Sequence, residues 1–500
     1  MLNEFFKRFK SGTDIRGVAV EGVEGQNVDL TDEVVEKMAD GFVLWLAEKV
    51  GKAPEELTIS VGRDSRVSGP RLMELCCGRF ERAGVRVLRC GLASTPSMFM
   101  TTVDLGCDGA LQLTASHHPF NRNGLKFFTR GGGLEGSDIE AILQFAQDGA
   151  QPDARDGGSV TDVDYMTDYA KGLCEKIKNE VNAEDRDHPL KGFHIVVDAG
   201  NGAGGFYAEK VLEPLGADTS GSRYLEPDGM FPNHVPNPED AEAMASICEA
   251  VRENNADLGV IFDTDVDRGG AVDSKGNEIN RNRLVAVAAA IALEGNEGGT
   301  IVTDSITSAG LKEFIETDLG GRHYRYRRGY KNVIDKAIEL NAQGINCPLA
   351  IETSGHAAMR ENYFLDDGAY LCTKIIIKAA QLRQQGKDLS DLTADLREPL
   401  ESREVRFQIT EKDFRACGER IIAELTAYAE KQPGWQLADD NREGVRVSFD
   451  KENGDGWFLL RLSVHDPIMP LNIESDSEGG AEVIYDRLYR FLKTTQGLKL

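Results

Sequence analysis

No stretch of this 500-residue chain approaches the roughly 20 consecutive apolar residues that cross a bilayer, so the sequence argues against a helical membrane anchor. The start, MLNEFFKRFK, lacks the continuous apolar core and cleavage site of a secretory signal, and a cytoplasmic location is the expectation. Basic residues are scarce relative to acidic ones, 57 against 83, for a formal charge of -26. Nucleic acid and anionic membrane are therefore poor candidates for the main partner. Any anionic substrate needs a locally positive site. The nine cysteines form no CxxC pair, which fits reduced thiols better than disulfides or a zinc site; Cys76 and Cys77 read as core residues. Low-complexity segments and short-period repeats are missing too, and no motif fixes an oligomeric state.

What is present is enough apolar residue, 41%, to bury more than one core, so the length predicts three or four compact domains. Up to about residue 155, helical patterns (VVEKMADGFVLWLAEKV, RLMELCCGRFERAG) alternate with short apolar runs (LTISVG, VRVLRCG, GALQL), which predicts α/β layering. The polar stretch AQDGAQPDARDGGS reads as a linker. A second α/β segment, 156–298, holds FHIVVDAGNGAGG and ADLGVIFDTDVDR. A third, 299–400, holds CPLAIETSGH and the helix-like AYLCTKIIIKAAQLRQQ. From 401 to 500 the strand-like EVRFQIT, GVRVSFD and GWFLLRLSV with two helical patterns predict a smaller α+β domain.

Chemistry concentrates where apolar runs end. LGVIFDTDVDRGG sets Asp263, Asp265 and Asp267 just past a strand, and in an extended chain residues at i, i+2 and i+4 share a face. Three converging carboxylates repel unless a hard cation joins them, and three oxygens leave magnesium open positions. An EF-hand is excluded by spacing, since Arg268 takes the turn glycine's place and Ser274 that of the closing glutamate. A solvated acidic turn is the bland alternative.

LQLTASHHPFNRNGLKFF places Ser116 and His117 at a strand exit, with Asn123, Gly124 and Lys126 downstream. Without a GxSxG elbow a hydrolase is disfavoured, while glycine and lysine suit close approach to an anion. In IETSGH, Glu352, Ser354 and His356 alternate after a strand, as sugar-hydroxyl contacts would. The last strand ends in RLSVHDP, where Arg461 and Ser463 share a face and suit a phosphate; a surface ion pair is the alternative. SGTDIRG and GRDSR put further arginines on glycine-flanked turns, with Arg16 the better site candidate. VVDAGNGAGG lacks the P-loop lysine and reads as a tight strand-to-helix turn.

These loops, in this order, resemble the α-D-phosphohexomutases, the phosphoglucomutase and phosphomannomutase superfamily, over essentially the whole chain. The TASHHPFNRNGLKFF and LSVHDPIMPLNIE wording is most similar to a divergent branch with plant and bacterial members. The resemblance implies four domains around a central cleft, the first three similar α/β units. It implies that Ser116 carries a phosphoryl group and, with Asp263, Asp265 and Asp267, holds Mg2+. Arg16, His117 and Lys126 would serve the phosphoserine, His117 or Lys126 acting as general acid/base. Arg268, Lys331, Glu352, Ser354, His356, Arg461, Ser463 and His465 would contact the substrate. The activity implied is interconversion of hexose 1-phosphate and 6-phosphate, glucose or mannose, through a hexose 1,6-bisphosphate that also primes the enzyme. A mutase for glucosamine phosphate, a non-catalytic sugar-phosphate binder and a phosphatase are the alternatives. Three positions depart from the family pattern: His465 for threonine, Tyr330 for histidine in RRGYKNV, and Ile306 where several bacterial members have lysine.

Overall fold

The strand Gly109–Leu113 buries all five of its residues, as a run covered on both sheet faces must. It belongs to the first of four sheets in a computed structural model that describes residues 1–463 and 466–500. Gly109–Leu113 pairs in parallel with Thr58–Arg63 and antiparallel with Arg122–Thr129. On one side follow Arg86–Leu92 and Ser159–Asp162, both parallel, so the polar stretch after Ala150 leads into a strand of this sheet. On the other, Asp14–Val18 joins Arg122–Thr129 antiparallel. The helices Asp32–Val50, Gly69–Arg82 and Gly136–Asp148 supply Phe42, Phe80 and Ile142 to the core beneath. The Phe42 and Phe127 rings meet there at 4.5 Å, a contact worth about 1 kcal/mol beyond the area it buries. Cys76 and Cys77 lie in this core, and burial pushes Cys77 up to about 12, which leaves an inert thiol. All nine cysteines are buried and free.

The second sheet pairs Ile195–Asp198 with Leu258–Phe262 in parallel, then Gly269–Val272 and Glu278–Ile279 antiparallel. In the third, Thr300–Thr303 lies parallel to both Arg322–Arg325 and Leu349–Ile351. The fourth is antiparallel: Val445–Phe449, Gly456–Leu460, Ile468–Ser475 and Glu401–Ile409 in that order. The helices Phe414–Ala429 and Gly480–Leu492 pack Leu425 and Leu488 onto Phe458 and Ile473 of that sheet. Three α/β domains and a smaller α+β domain are thus the fold class that the sequence led us to expect.

By contacts the chain forms two units: Met1–Asn280 with Ser354–Ala357 and Leu365–Leu389, and Arg281–Thr353 with Ala358–Phe364 and Ser390–Leu500. The helix Gly368–Gln384 therefore belongs to the first unit although it follows third-sheet strands in sequence. Its seat is specific: Thr373 bonds the buried Tyr207 hydroxyl at 2.8 Å, Lys374 pairs with Glu180 at 2.9 Å, and the Tyr169 hydroxyl donates to Asp367 at 2.7 Å. Among the described residues no helix is long and apolar enough to cross a membrane.

Candidate functional site

Ser116 stands at φ +50°, a left-handed conformation that a non-glycine residue holds only when its surroundings enforce it. The enforcement comes from two buried groups. Thr114 Oγ1 accepts the Ser116 N–H at 2.9 Å and donates to Asp64 at 2.8 Å. The fully buried Arg66 guanidinium donates to the carbonyls of Pro119 (2.7 Å), Arg122 (3.0 Å), His118 (2.6 Å) and Ser116, while its Nε pairs with Asp64 at 3.1 Å. One side chain thus satisfies four loop carbonyls that burial would otherwise leave unpaired. In the sequence, GRDSR marks only one more arginine near a turn, because a guanidinium on carbonyls leaves no periodic trace. Arg16 lies not on a turn but inside the strand Asp14–Val18, opposite Gly124, with Asp14 at 3.0 Å.

The Ser116 hydroxyl donates to Asp263 Oδ2 at 3.2 Å and sits 3.2 Å from His117 Nδ1. Burial and the nearby charges of Arg268, His118 and Arg16 drive the His117 imidazole down to about 2, and His118 behaves alike. Both rings are neutral at pH 7, and the arginines that depress them make the loop's surroundings positive within an acidic protein. Lys126 Nζ lies 2.7 Å from Asp267. Asn123 and Gly124 also serve the fold. Asn123 donates to Ser68 at 2.8 Å, and a Cβ on Gly124 would come within 2.3 Å of the Ile15 carbonyl.

Asp263, Asp265 and Asp267 do converge, one carboxylate oxygen of each lying within 4.8 Å of the others. The reason differs from the strand alternation anticipated: the strand ends at Phe262 and the chain turns, with Val266 at φ +67°. The turn is braced by the glycine-rich segment, where Ala203 N–H donates to the Thr264 carbonyl at 2.8 Å. A Cβ on Gly202 would lie 2.6 Å from that carbonyl oxygen, so only glycine fits. Thr95 holds Asp265 through both its backbone N–H and its hydroxyl. Burial and the neighbouring carboxylates push Asp263 far above the usual carboxylate range and raise Asp265 as well, whereas Lys126 holds Asp267 low against its own burial. Oδ1 of Asp265 and Oδ1 of Asp267 are buried without a hydrogen-bond partner. Crowded, buried, partly unpartnered carboxylate oxygens suit a hard divalent cation such as magnesium.

Arg268 follows directly. Its Nε–H donates to His356 Nε2 at 2.9 Å, and Asn237, Glu239 and Asp263 flank the guanidinium at 3.5, 3.6 and 3.9 Å. His356 Nδ1 faces Asp366 at 2.5 Å. Burial alone would lower this imidazole, but Asp366 leaves it above the ordinary histidine value. Ser354 is buried in the same unit. The alternation expected across IETSGH fails because the strand ends at Ile351 and the chain turns at 353–355.

Glu352 lies in the second unit, where it accepts the Gly329 N–H at 2.6 Å. Lys331, in the first turn of the helix Tyr330–Ala342, pairs with Asp335 at 2.8 Å. Arg461 lies in this unit too, its Nε buried and without a hydrogen-bond partner among the described residues, its pKa lowered by burial despite the charge of Glu443. Glu443 itself binds the Ser305 hydroxyl and the Arg328 N–H, the latter at 3.2 Å. This brings the loop that bears Arg328 and Lys331 against the fourth domain. The strand expected to run through RLSVHDP stops at Leu460, and the chain returns as the strand Ile468–Ser475. Pro470 hid that strand from sequence reasoning, since a proline argues against a central position. It is accommodated one residue beyond the last ladder partner of Gly456–Leu460, where its carbonyl accepts the Arg461 N–H at 3.1 Å. The Ser463 hydroxyl accepts the Asp466 N–H at 3.3 Å; His465 lies outside the described residues.

The chain matches known proteins along most of its length. Residues 9–153, 169–276 and 280–400 match the models of phosphoglucomutase/phosphomannomutase α/β/α domains I, II and III respectively. The chain is 31% identical over 454 residues to the phosphomannomutase/phosphoglucomutase of Pseudomonas syringae, covering 90% of each chain. It is 28% identical over 482 residues to the phosphoglucomutase of Neisseria gonorrhoeae, covering 96% of each. A crystal structure of a phosphoglucomutase/phosphomannomutase family protein from Burkholderia thailandensis superposes with a TM-score of 0.79 at 26% identity, covering 99% of this chain and 98% of the other.

Proposed function

The chain belongs to the phosphoglucomutase/phosphomannomutase family of α-D-phosphohexomutases, and from that premise we propose that it interconverts the 1- and 6-phosphates of glucose or mannose through a phosphoserine at Ser116. The observation that carries this reading is the Ser116 hydroxyl, 3.2 Å from Asp263 at the edge of three buried carboxylates.

In the first step the bond between phosphorus and Ser116 Oγ breaks while a new one forms to the free sugar hydroxyl, whose proton leaves. The product is a hexose 1,6-bisphosphate. After the intermediate turns over, its other phosphoryl group passes to Ser116 Oγ, and the isomeric monophosphate departs. Phosphoryl transfer asks mainly for alignment and for charge to offset the equatorial oxygens. Arg66 and Thr114 supply the alignment by fixing Ser116. A phosphoserine carries about -1.5 to -2 charge, and Lys126, Arg16 and Arg268 supply positive charge to meet it. Asp263, Asp265, Asp267 and the seryl phosphate would hold Mg2+, which when bound offsets charge on the transferred group. His117, neutral and 3.2 Å from the hydroxyl, and Lys126 are the groups in reach for proton transfer. In the second unit Arg461 and Ser463 would hold the non-reacting phosphate, with Lys331, Glu352 and His465 around the sugar.

The test is a coupled assay with magnesium and a trace of hexose 1,6-bisphosphate, offering glucose 1-phosphate, mannose 1-phosphate and glucosamine 1-phosphate separately, with intact-mass analysis. Isomerisation of glucose or mannose phosphate with one phosphate mapped to Ser116 is the expected result. Release of inorganic phosphate without isomer, turnover of glucosamine phosphate alone, or turnover with no phosphate on Ser116 overturns the reading.

A further inference from the structure

His234 lies in FPNHVPNP, the loop that leads into the helix Ala241–Asn254, and has no part in the site described above. Its ring is buried, and each nitrogen meets an acceptor. Nδ1 is 2.9 Å from the Val235 carbonyl, which can only accept, so that nitrogen carries a proton. Nε2 lies 3.1 and 3.2 Å from the two oxygens of the fully buried Asp198. A proton on the carboxyl would favour one oxygen, whereas near-equal distances suit a ring N–H shared between both. Asp198 also accepts the Ser246 hydroxyl at 2.7 Å and the Gly200 N–H at 2.9 Å, bonds that favour its ionised form. A buried carboxylate needs a cation, and among the described residues His234 is its ion-pair partner. Burial opposes a charged ring, but Asp198, the Val235 carbonyl and Asp240 at the helix N-cap leave His234 above the ordinary histidine value. Tyr224 packs edge-on at 5.3 Å, and the Arg223 guanidinium is taken up by Glu249 and Glu253 at 3.4 and 2.7 Å.

Asn201 ties down the other limb of the loop, donating to the Glu226 carbonyl at 2.9 Å and accepting from Asn233 at 2.7 Å. Between these anchors the tip is pressed onto the segment that builds the Ser116 loop. A Cβ on Gly229 would come within 2.4 Å of the Val67 nitrogen and 2.5 Å of the Ser65 carbonyl oxygen, so the two backbones touch. Phe231, left-handed at φ +49°, sets its ring against the Arg66 guanidinium, 5.2 Å from the ring centroid. Arg66 is the side chain that gathers the carbonyls of the Ser116 loop.

We propose that His234 is a positioning residue: an imidazolium that bridges Asp198 and the Val235 carbonyl, it latches the loop 226–237 so that Phe231 keeps Arg66 on the Ser116 loop. The effect on phosphorylation rests on the phosphohexomutase reading above; the latch does not.

The latch is read without any substrate. In full-length 15N-histidine-labelled protein with magnesium, one imidazole, assigned by its absence in His234→Gln, should carry protons on both ring nitrogens. It should lose one with a midpoint above the ordinary value of about 6.5. An unprotonated Nε2 at pH 6, or a midpoint at or below about 6.5, overturns the proposal whether or not the protein proves to be a mutase. Phe231→Leu should leave this titration unchanged. By hydrogen exchange, Phe231→Leu and His234→Gln should both open residues 64–67 and 114–122 at least about threefold faster, the scale of a lost cation–π contact. Faster exchange confined to 226–237 overturns the link to Arg66. With a hexose 1,6-bisphosphate donor, both variants should slow phosphorylation of Ser116 by about tenfold, less than a full 1 Å displacement would. The advantage of wild type over His234→Gln should shrink as pH rises through the ring's midpoint. Normal phosphorylation in both variants overturns the positioning role. A wild-type protein that takes no phosphate, with titration and exchange as expected, faults the mutase reading alone.

Discussion

Replacing Arg66 by methionine separates the loop's architecture from its chemistry, because Arg66 is assigned no contact with substrate. The side chain is fully buried and meets Asp64 together with the carbonyls of Ser116, His118, Pro119 and Arg122. Burial lowers the Arg66 pKa and raises that of Asp64, so desolvation outweighs the attraction within the pair. Such a pair stabilises little relative to an apolar replacement of both partners, but removing one partner leaves the other stranded. That one-sided loss costs about 3–5 kcal/mol. Orphaned carbonyls cost about 1–3 kcal/mol each, yet they share one donor and relax together, so the sum does not apply. We expect Arg66→Met to lose about 3–5 kcal/mol and to cut Ser116 phosphorylation by about 100-fold as the loop leaves its left-handed turn. Asp64→Asn with Arg66→Met should recover part of the stability and none of the phosphorylation. Denaturant unfolding and intact-mass kinetics with a hexose bisphosphate donor read the two effects separately. Unchanged unfolding together with normal phosphorylation in Arg66→Met would refute the claim that this guanidinium builds the loop.

Three further outcomes can be checked. Ser116→Ala should abolish isomerisation and carry no phosphate by intact mass, with unfolding within about 0.5 kcal/mol of wild type or slightly more stable, since it removes a hydroxyl and no core packing; residual turnover at the wild-type rate would end the phosphoserine assignment. Asp265→Asn should raise the magnesium needed for half-maximal activity by at least about tenfold, since one charged hard ligand is gone, while raising the melting temperature in chelator because carboxylate repulsion is relieved. Glu474, raised by burial from 4.5 to about 7 and bonded to Trp457 Nε1 at 3.0 Å, ionises in the unfolded chain before it does in the folded protein. Stability should therefore fall as pH climbs from about 4.5 to about 7, and Glu474→Gln should flatten that slope in a melting-temperature series.

The sequence carried the parts of the site that a short segment can encode. Gly109–Leu113 and Leu258–Phe262 end where their apolar runs end, so Ser116 and the three aspartates were visible as strand exits. What it could not carry was the reason for their geometry. Alternation along a strand brings three carboxylates together on paper; here a left-handed Val266, braced by the backbone around Ala203, does so across about 60 residues of chain, and no period records such a contact. Arg66 escaped for the same cause, since its partners are carbonyls, which every residue has. Asp366 sits ten residues past His356, with the strand Ala357–Met359 between them, so no local spacing pairs the two. The strand Ile468–Ser475 was lost to a proline whose exemption depends on where its neighbour stops.

The first unit is closed by a segment made late. Ser354–Ala357 and Leu365–Leu389 bring His356, Asp366 and the helix Gly368–Gln384, and they are synthesised only after the intervening stretch from Arg281 to Thr353. At roughly 5–20 residues per second, the early part of this unit waits about 4–15 s for them, with the Tyr207 and Tyr169 hydroxyls lacking their partners Thr373 and Asp367. A protease nick between the two portions would leave both halves of the site present but joined only by packing. Truncation at Asn280 would instead release a chain that keeps its serine and aspartates and has no anchor for Arg268. The boundary that contacts draw is therefore not one at which the polypeptide can be cut, and a gene fragment ending there encodes an unfinished domain.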